Sequence, residues 1–241
     1  MALNKIFSPS AKYKLIRLGK NNDGGYLVGE NSILQSNYLI SFGLDLDWSF
    51  EKSFKKKNIN ILCFDDKLSY RFILKKILKQ IISNFWNINY KDLIFLIKKL
   101  IEFYNFKKIL NFKKKRITYG DVLKITNGID NIFFKIDIEG SEYRILDELI
   151  EIKNKINGIV IEFHDVHLHQ VKIQHFIKNI GLELIHIHPN NYQGLDQFGN
   201  PYLLELTFEK KPIVLNKKNI LPHEHDMKNN PYIDDINLTF Q

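Results

Sequence analysis

Tyr38-Leu39-Ile40-Ser41-Phe42-Gly43 and Ile59-Asn60-Ile61-Leu62-Cys63-Phe64-Asp65-Asp66 are two apolar runs, one stopped by a glycine and the other by a pair of acids. Short runs rich in Ile, Leu and Phe with such ends read as buried strands. Between them, Trp48-Ser49-Phe50-Glu51-Lys52-Ser53-Phe54 is the length of one crossover helix, so the stretch reads as a βαβ unit.

The same rhythm continues downstream. Ile132-Phe133-Phe134-Lys135-Ile136 ends at Asp137, and Gly158-Ile159-Val160-Ile161 ends at Glu162-Phe163-His164, with residues 142–152 reading as the helix between. Residues 166–179 have helical spacing closed by Gly181, and 182–187 and 202–208 read as two later strands around a polar loop. The expectation is one α/β domain over residues 1–241, with helices on both faces of a Rossmann-like sheet.

Composition narrows the class. Of 241 residues, 44% are hydrophobic, enough for one buried core. A lone cysteine, Cys63, excludes an internal disulfide and a multi-cysteine zinc site, and points to a reducing compartment. The first residues lack the apolar centre of a signal peptide, and no run approaches the roughly 18 apolar residues of a membrane span, so a cytoplasmic protein without stable membrane insertion is expected.

Charge is concentrated in one segment. Residues 69–116 hold 13 Lys/Arg against Asp92 and Glu102, a balance of +11 in a chain whose net charge is +8. Within it, 70–85 and 91–110 read as two helices joined around Asn87-Ile88-Asn89-Tyr90. Ile73, Ile77 and Ile81 form a stripe at helical spacing with Leu74, Leu78 and Ile82 beside them. This reads as a basic helical hairpin inserted in the sheet, open to use as a lid or homodimer contact, a surface for an anionic substrate, or a membrane-surface pair. Its aromatics follow the apolar stripe instead of forming a stacking platform, which disfavours nucleic acid.

A strand ending in Gly43 and a second strand ending in an acid, 22 residues on at Asp65, is how Rossmann-like folds hold a nucleoside: the glycine admits the ligand to the backbone and the acid accepts from ribose hydroxyls. Ser41-Phe42-Gly43-Leu44-Asp45-Leu46-Asp47 lacks the three glycines of a pyrophosphate cradle. Two carboxylates there suit a sulfonium with its ammonium group better than a dinucleotide.

Phe134-Lys135-Ile136-Asp137-Ile138-Glu139-Gly140-Ser141-Glu142 resembles the Lys-Ile-Asp-(Val/Ile)-Glu-Gly-(Ala/Ser)-Glu signature of FkbM-family methyltransferases. Leu18-Gly19-Lys20-Asn21-Asn22-Asp23-Gly24-Gly25-Tyr26 resembles the Gly-x-x-x-Asp-Gly-Gly-Tyr segment of one branch of that family, which also carries Ser-Phe-Gly and Glu-Phe-His, matched by 41–43 and 162–164. The resemblance implies a class I methyltransferase sheet and S-adenosylmethionine as cofactor. It places Gly43 and the acids after it, Asp45 and Asp47, at the methionine portion, Asp65 at the ribose, and a tight turn of Asp23, Gly24 and Gly25 over the site, with Tyr26, Phe42 and Asp66 also among the cofactor-binding residues. Asp121 is expected near the adenine, and Asp137 at the cofactor or reacting centre.

The histidines leave alternatives open. Glu162 and His164 share one face of an extended chain, and with Asp137 they suit a divalent ion such as Mn or Mg; alternatively His164 or His188 is a general base, or the imidazoles are hydrogen-bonded polar residues. Glu139 and Glu142 read as acids capping a helix, the reading preferred for Glu142. His223 and His225 read as solvated. The expected reaction is O-methylation of a sugar or nucleotide-activated sugar, as for capsule or other surface polysaccharide. The rival readings are a metal-dependent hydrolase and a non-catalytic binding module.

Overall fold

Successive side chains of a strand point to opposite faces of its sheet, and the central runs of this chain are apolar on both. Ile40, Phe64, Phe134 and Ile161 enter one core cluster while their neighbours Leu39, Cys63, Phe133 and Val160 enter another. A sheet buried on both faces follows. The computed structural model describes residues 3–55, 58–83, 90–216 and 218–241.

Along the chain the elements are β1 (Lys12–Tyr13), β2 (Leu15–Leu18), β3 (Tyr26–Gly29), α1 (Glu30–Gln35), β4 (Tyr38–Phe42), α2 (Ser49–Lys55), β5 (Asn60–Asp65), α3 (Tyr70–Ser83), α4 (Tyr90–Ile109), β6 (Asn111–Lys114), α5 (Asp121–Ile125), β7 (Ile132–Ile136), α6 (Leu146–Glu151), β8 (Ile156–Phe163), α7 (Val166–Asn179), β9 (Glu183–Pro189), β10 (Leu204–Glu209) and β11 (Val214–Asn216). The main sheet has seven strands in the order β6-β5-β4-β7-β8-β10-β9. Strands β4 to β8 pair in parallel, and β10 runs antiparallel to both of its neighbours. This is the Rossmann-like, class I methyltransferase arrangement. The direction of winding reverses between β4 and β7, which opens a crevice at their carboxyl ends.

One face is covered by α6 and α7 through Leu146, Leu149, Ile173 and Phe176. The other is covered by α2, by the β2–β3 hairpin and by α3 and α4, through Trp48, Phe50, Phe54, Ile73, Phe103 and Phe106. Cys63 lies on this second face in the middle of β5, with no exposed surface. Burial and the nearby Glu51 carboxylate push its thiol well above the ordinary range.

Two expectations shift, and a third falls outside the described residues. The basic hairpin is present as α3 and α4, filling the crossover from β5 to β6, but residues 111–114, counted with it in sequence, form edge strand β6. Asn111-Phe112-Lys113-Lys114 is mostly exposed, and lysines suit an unpaired sheet edge, so the strand carries no apolar signal. The proposed joint at 87–89 lies outside the described residues. In place of one helix over 142–152, a 3-10 turn at Glu142–Arg144 precedes α6, because Glu139 and Gly140 both adopt left-handed backbone and tighten the chain there.

Candidate active site

The carboxyl ends of β4, β5, β7 and β8 surround a cavity of about 560 Å³, of the size that small ligands and cofactors occupy. Gly43 forms its inner turn. Its φ is +81°, and a Cβ there would lie 1.6 Å from the Asp137 carbonyl oxygen, so only glycine fits between β4 and β7. The loop after Gly43 meets the β2–β3 loop, where a Cβ on Gly24 would lie 2.3 Å from an Asp47 oxygen. Lys20 and Asp47 pair across this contact at 3.0 Å.

Asp65 builds the rim beyond Gly43. One oxygen accepts the main-chain N–H groups of Leu44 at 2.9 Å and Asp45 at 3.2 Å, and the other those of Lys67 at 2.8 Å and Leu68 at 2.6 Å. These four bonds match the acceptor sites of one carboxylate. Asp66, exposed beside it, also lines the cavity. Asp45 stands at the rim with φ +42°, its carboxylate 3.1 Å from Lys76 of α3, and Phe95 of α4 completes that wall.

The floor is a buried charge network. Lys135 donates to the Gly43 carbonyl at 2.6 Å and lies 3.4 Å from Asp137, which also accepts from the Tyr26 hydroxyl at 3.1 Å. Burial works against the Lys135 charge, but Asp137 and Glu51 outweigh it and raise its pKa. Burial likewise raises Asp137, and Lys135, His164 and the Tyr26 hydroxyl more than reverse this, so Asp137 is held as a carboxylate. Glu162 behaves oppositely: burial, then the charges of Asp137, Glu205 and Asp23, push it well above the ordinary carboxyl range, although Asn190 donates to it at 2.8 Å.

His164 follows β8 and is held from behind. Glu142, with no exposed surface, accepts the His164 main-chain N–H at 2.7 Å and faces ring Nδ1 at 3.3 Å. A carboxylate only accepts, so Nδ1 carries the hydrogen in the neutral ring and Nε2 is left as the basic atom. Burial lowers the His164 pKa, but Glu142, Asp137 and Glu139 together raise it. Asp137, Glu162 and His164 each offer a ligand atom within 4.8 Å of the others. The reading of Glu142 as a helix-capping acid is therefore corrected: it is a buried partner of His164.

Of the residues singled out in sequence, Asp23, Gly24, Gly43, Asp45, Asp65, Asp66, Asp137, Glu162 and His164 line this cavity, whereas Gly25, Tyr26, Phe42, Asp121 and His188 do not. Gly25 belongs to the turn, where a Cβ would meet the Lys20 carbonyl at 1.8 Å. Tyr26 acts through Asp137, and Phe42 is packed in the core. Asp121 is spent on Lys115 at 2.7 Å and on Thr118, whose bonds lower its pKa against the effect of burial. These contacts fix the loop carrying Lys115, Arg116 and Ile117, which do line the cavity.

His188 lies five strands from Asp65 in the sheet, in a cluster closed by the C-terminal segment. Its Nε2 is 3.0 Å from Asn229, and Asp226 lies 3.7 Å from its Nδ1 and 3.0 Å from His186 Nε2. Burial lowers the His188 pKa, but Asp226 and Glu205 outweigh it and bring it to about 9. His223, expected to be solvated, is buried against His186, and its main-chain N–H donates to Asp226 at 2.6 Å. Local patterning does not mark Lys135, Glu51 and Asn190 as site residues; Lys135 sits inside the quoted signature, and its place two residues before Asp137 on the same strand face is the one available signal.

No family model and no curated protein matches the chain. Among solved structures it is similar to a candidate sarcosine dimethylglycine methyltransferase from Galdieria sulphuraria (13% identity, 74% of this chain and 80% of that one, TM-score 0.39). It is also similar to a precorrin-6y C5,15-methyltransferase from Geobacter metallireducens (10%, 75% and 86%, TM-score 0.39). The strand order and register of the sheet, not these distant likenesses, define the architecture.

Proposed function

We propose that this chain is an S-adenosylmethionine-dependent O-methyltransferase of the FkbM type, acting on a hydroxyl of a sugar or nucleotide-activated sugar of a surface polysaccharide. The observation that carries the reading is the meeting, in one cavity at the reversal point of the sheet, of a carboxylate-flanked glycine turn with a histidine braced by a buried glutamate. The cavity fits such a cofactor by its volume and its donor set. Asp23 and the Gly43 turn face the amino-acid end, and the Asp65–Asp66 rim faces the ribose, Asp65 shaping the loop and Asp66 offering open acceptor sites. S-adenosylmethionine supplies, when bound, an electrophilic methyl group.

The protein's own part is to orient an acceptor oxygen and remove its proton. His164 Nε2 takes that proton, and Glu142 holds the ring and stabilises the imidazolium that results. Lys135 keeps Asp137 ionised and in place. A second reading rests on the convergence of Asp137, Glu162 and His164: two carboxyl groups and an imidazole suit a divalent ion such as Mn or Mg, which acidifies an adjacent hydroxyl.

Calorimetric titration with S-adenosylhomocysteine, before and after chelation and with Mn or Mg restored, tests both. Micromolar binding is expected, about tenfold weaker in Asp66→Ala. No binding under any condition overturns the methyltransferase reading in favour of a hydrolase or a binding module, and binding or turnover that needs the restored ion assigns the triad to metal.

A further inference from the structure

The hairpin of α3 and α4 turns one side inward and leaves the other without cover. Ile73 of α3 and Leu96, Phe103 and Phe106 of α4 are buried in the core. On the outer side of α3, Leu74, Leu78 and Ile82 are 46%, 56% and 72% exposed at positions i, i+4 and i+8. Ile94, Ile97 and Ile101 are exposed along α4. Large aliphatic side chains set out in rows are costly to leave in water and mark a contact surface.

Charge identifies the occupant. Arg71, Lys75 and Lys79 lie among the exposed positions of α3, and Lys98 and Lys107 among those of α4. None of the described exposed positions from 70 to 107 is acidic. Glu102 is half-buried and turned to Lys52 and Lys99. A second copy laid on this face would set lysine against lysine, which disfavours self-association. An anionic bilayer surface complements both features: aliphatic rows enter the boundary between headgroups and acyl chains, while long lysine stems carry their charges out to the headgroups. Among the described residues no helix is long and apolar enough to cross a membrane, so the hairpin would lie on the surface.

We propose that the α3–α4 hairpin seats this protein on an anionic lipid surface. Lys76 of α3 holds Asp45 at the cavity rim and Phe95 of α4 lines the cavity, so the seated hairpin brings the cavity mouth beside the bilayer. The seating does not depend on the methyl-transfer reading.

Flotation of the full chain with vesicles is the test. At about 0.1 M salt it should float with phosphatidylcholine vesicles containing about 30% phosphatidylglycerol and not with pure phosphatidylcholine, and should release at least about tenfold at roughly 0.5 M salt. The double variant Leu78→Glu with Ile101→Glu, at two exposed positions, should lose at least about tenfold in vesicle binding while keeping its melting temperature and its affinity for S-adenosylhomocysteine. Absence of flotation in the parent chain, or equal flotation of parent and variant, overturns the proposal. A parent dimer dissolved by the variant, with no vesicle binding, gives the face to a second copy instead.

Discussion

A carboxylate buried behind an imidazole fixes which ring nitrogen carries the hydrogen and raises the proton affinity of the other. Glu142 stands in that relation to His164, and its shape rather than its charge is kept in Glu142→Gln. In that variant kcat should fall about 10- to 100-fold with the cofactor KM little changed. The acidic limb of the pH–rate profile should move to lower pH, because the group that raises His164 has gone. An unchanged profile with an intact fold would remove Glu142 from the mechanism. At this scale the sequence exposes Asp137, Glu162 and His164 because each ends a strand. It hides Glu142, whose partner is 22 residues away across a left-handed turn that local patterning does not reveal.

Elements are joined by residues whose meaning appears only when they meet. His186 and His188 alternate on β9 and are legible there as a pair, but the acid they face, Asp226, comes from an irregular segment with no periodicity. The cluster ties stability to pH. His188 rises from 6.5 to about 9 on folding, so the folded state holds the extra proton, and its contribution is complete below pH 6.5 and lost as pH climbs through 9. Glu205, opposite His188 and raised to about 7 chiefly by burial, acts in the same direction between about pH 4.5 and 7. Asp226 is depressed and loses its contribution only as pH falls below the ordinary carboxyl range. Asp226→Asn should cost about 3 kcal/mol near pH 6 and flatten the decline between pH 6.5 and 9, as read by urea unfolding across that range. The edge strand β6 escapes sequence patterning for a related reason: with its lysines exposed, nothing in its composition separates it from the hairpin before it.

For the whole molecule, the reading in sequence rests on residues that point both ways from the sheet. Leu39-Ile40, Cys63-Phe64, Phe133-Phe134 and Val160-Ile161 divide between two cores, and this double burial is why the four parallel strands β4, β5, β7 and β8 are legible from short apolar runs. The share of the second face covered by β3 and the C-terminal segment is not legible in sequence, since they meet polar residues there, Thr207 donating to the Leu27 carbonyl and Asn229 to Glu205. The solitary thiol of β5 lies beneath all of this, closed to solvent and disfavoured as thiolate. A maleimide can reach it only when the centre of the sheet opens, so the alkylation rate becomes a clock for that opening, needing no introduced label. Any molecule that grips the crevice slows the clock in proportion to its occupancy, and a reaction as fast as that of a free thiol would mean that the middle of this sheet breathes far more than its packing allows.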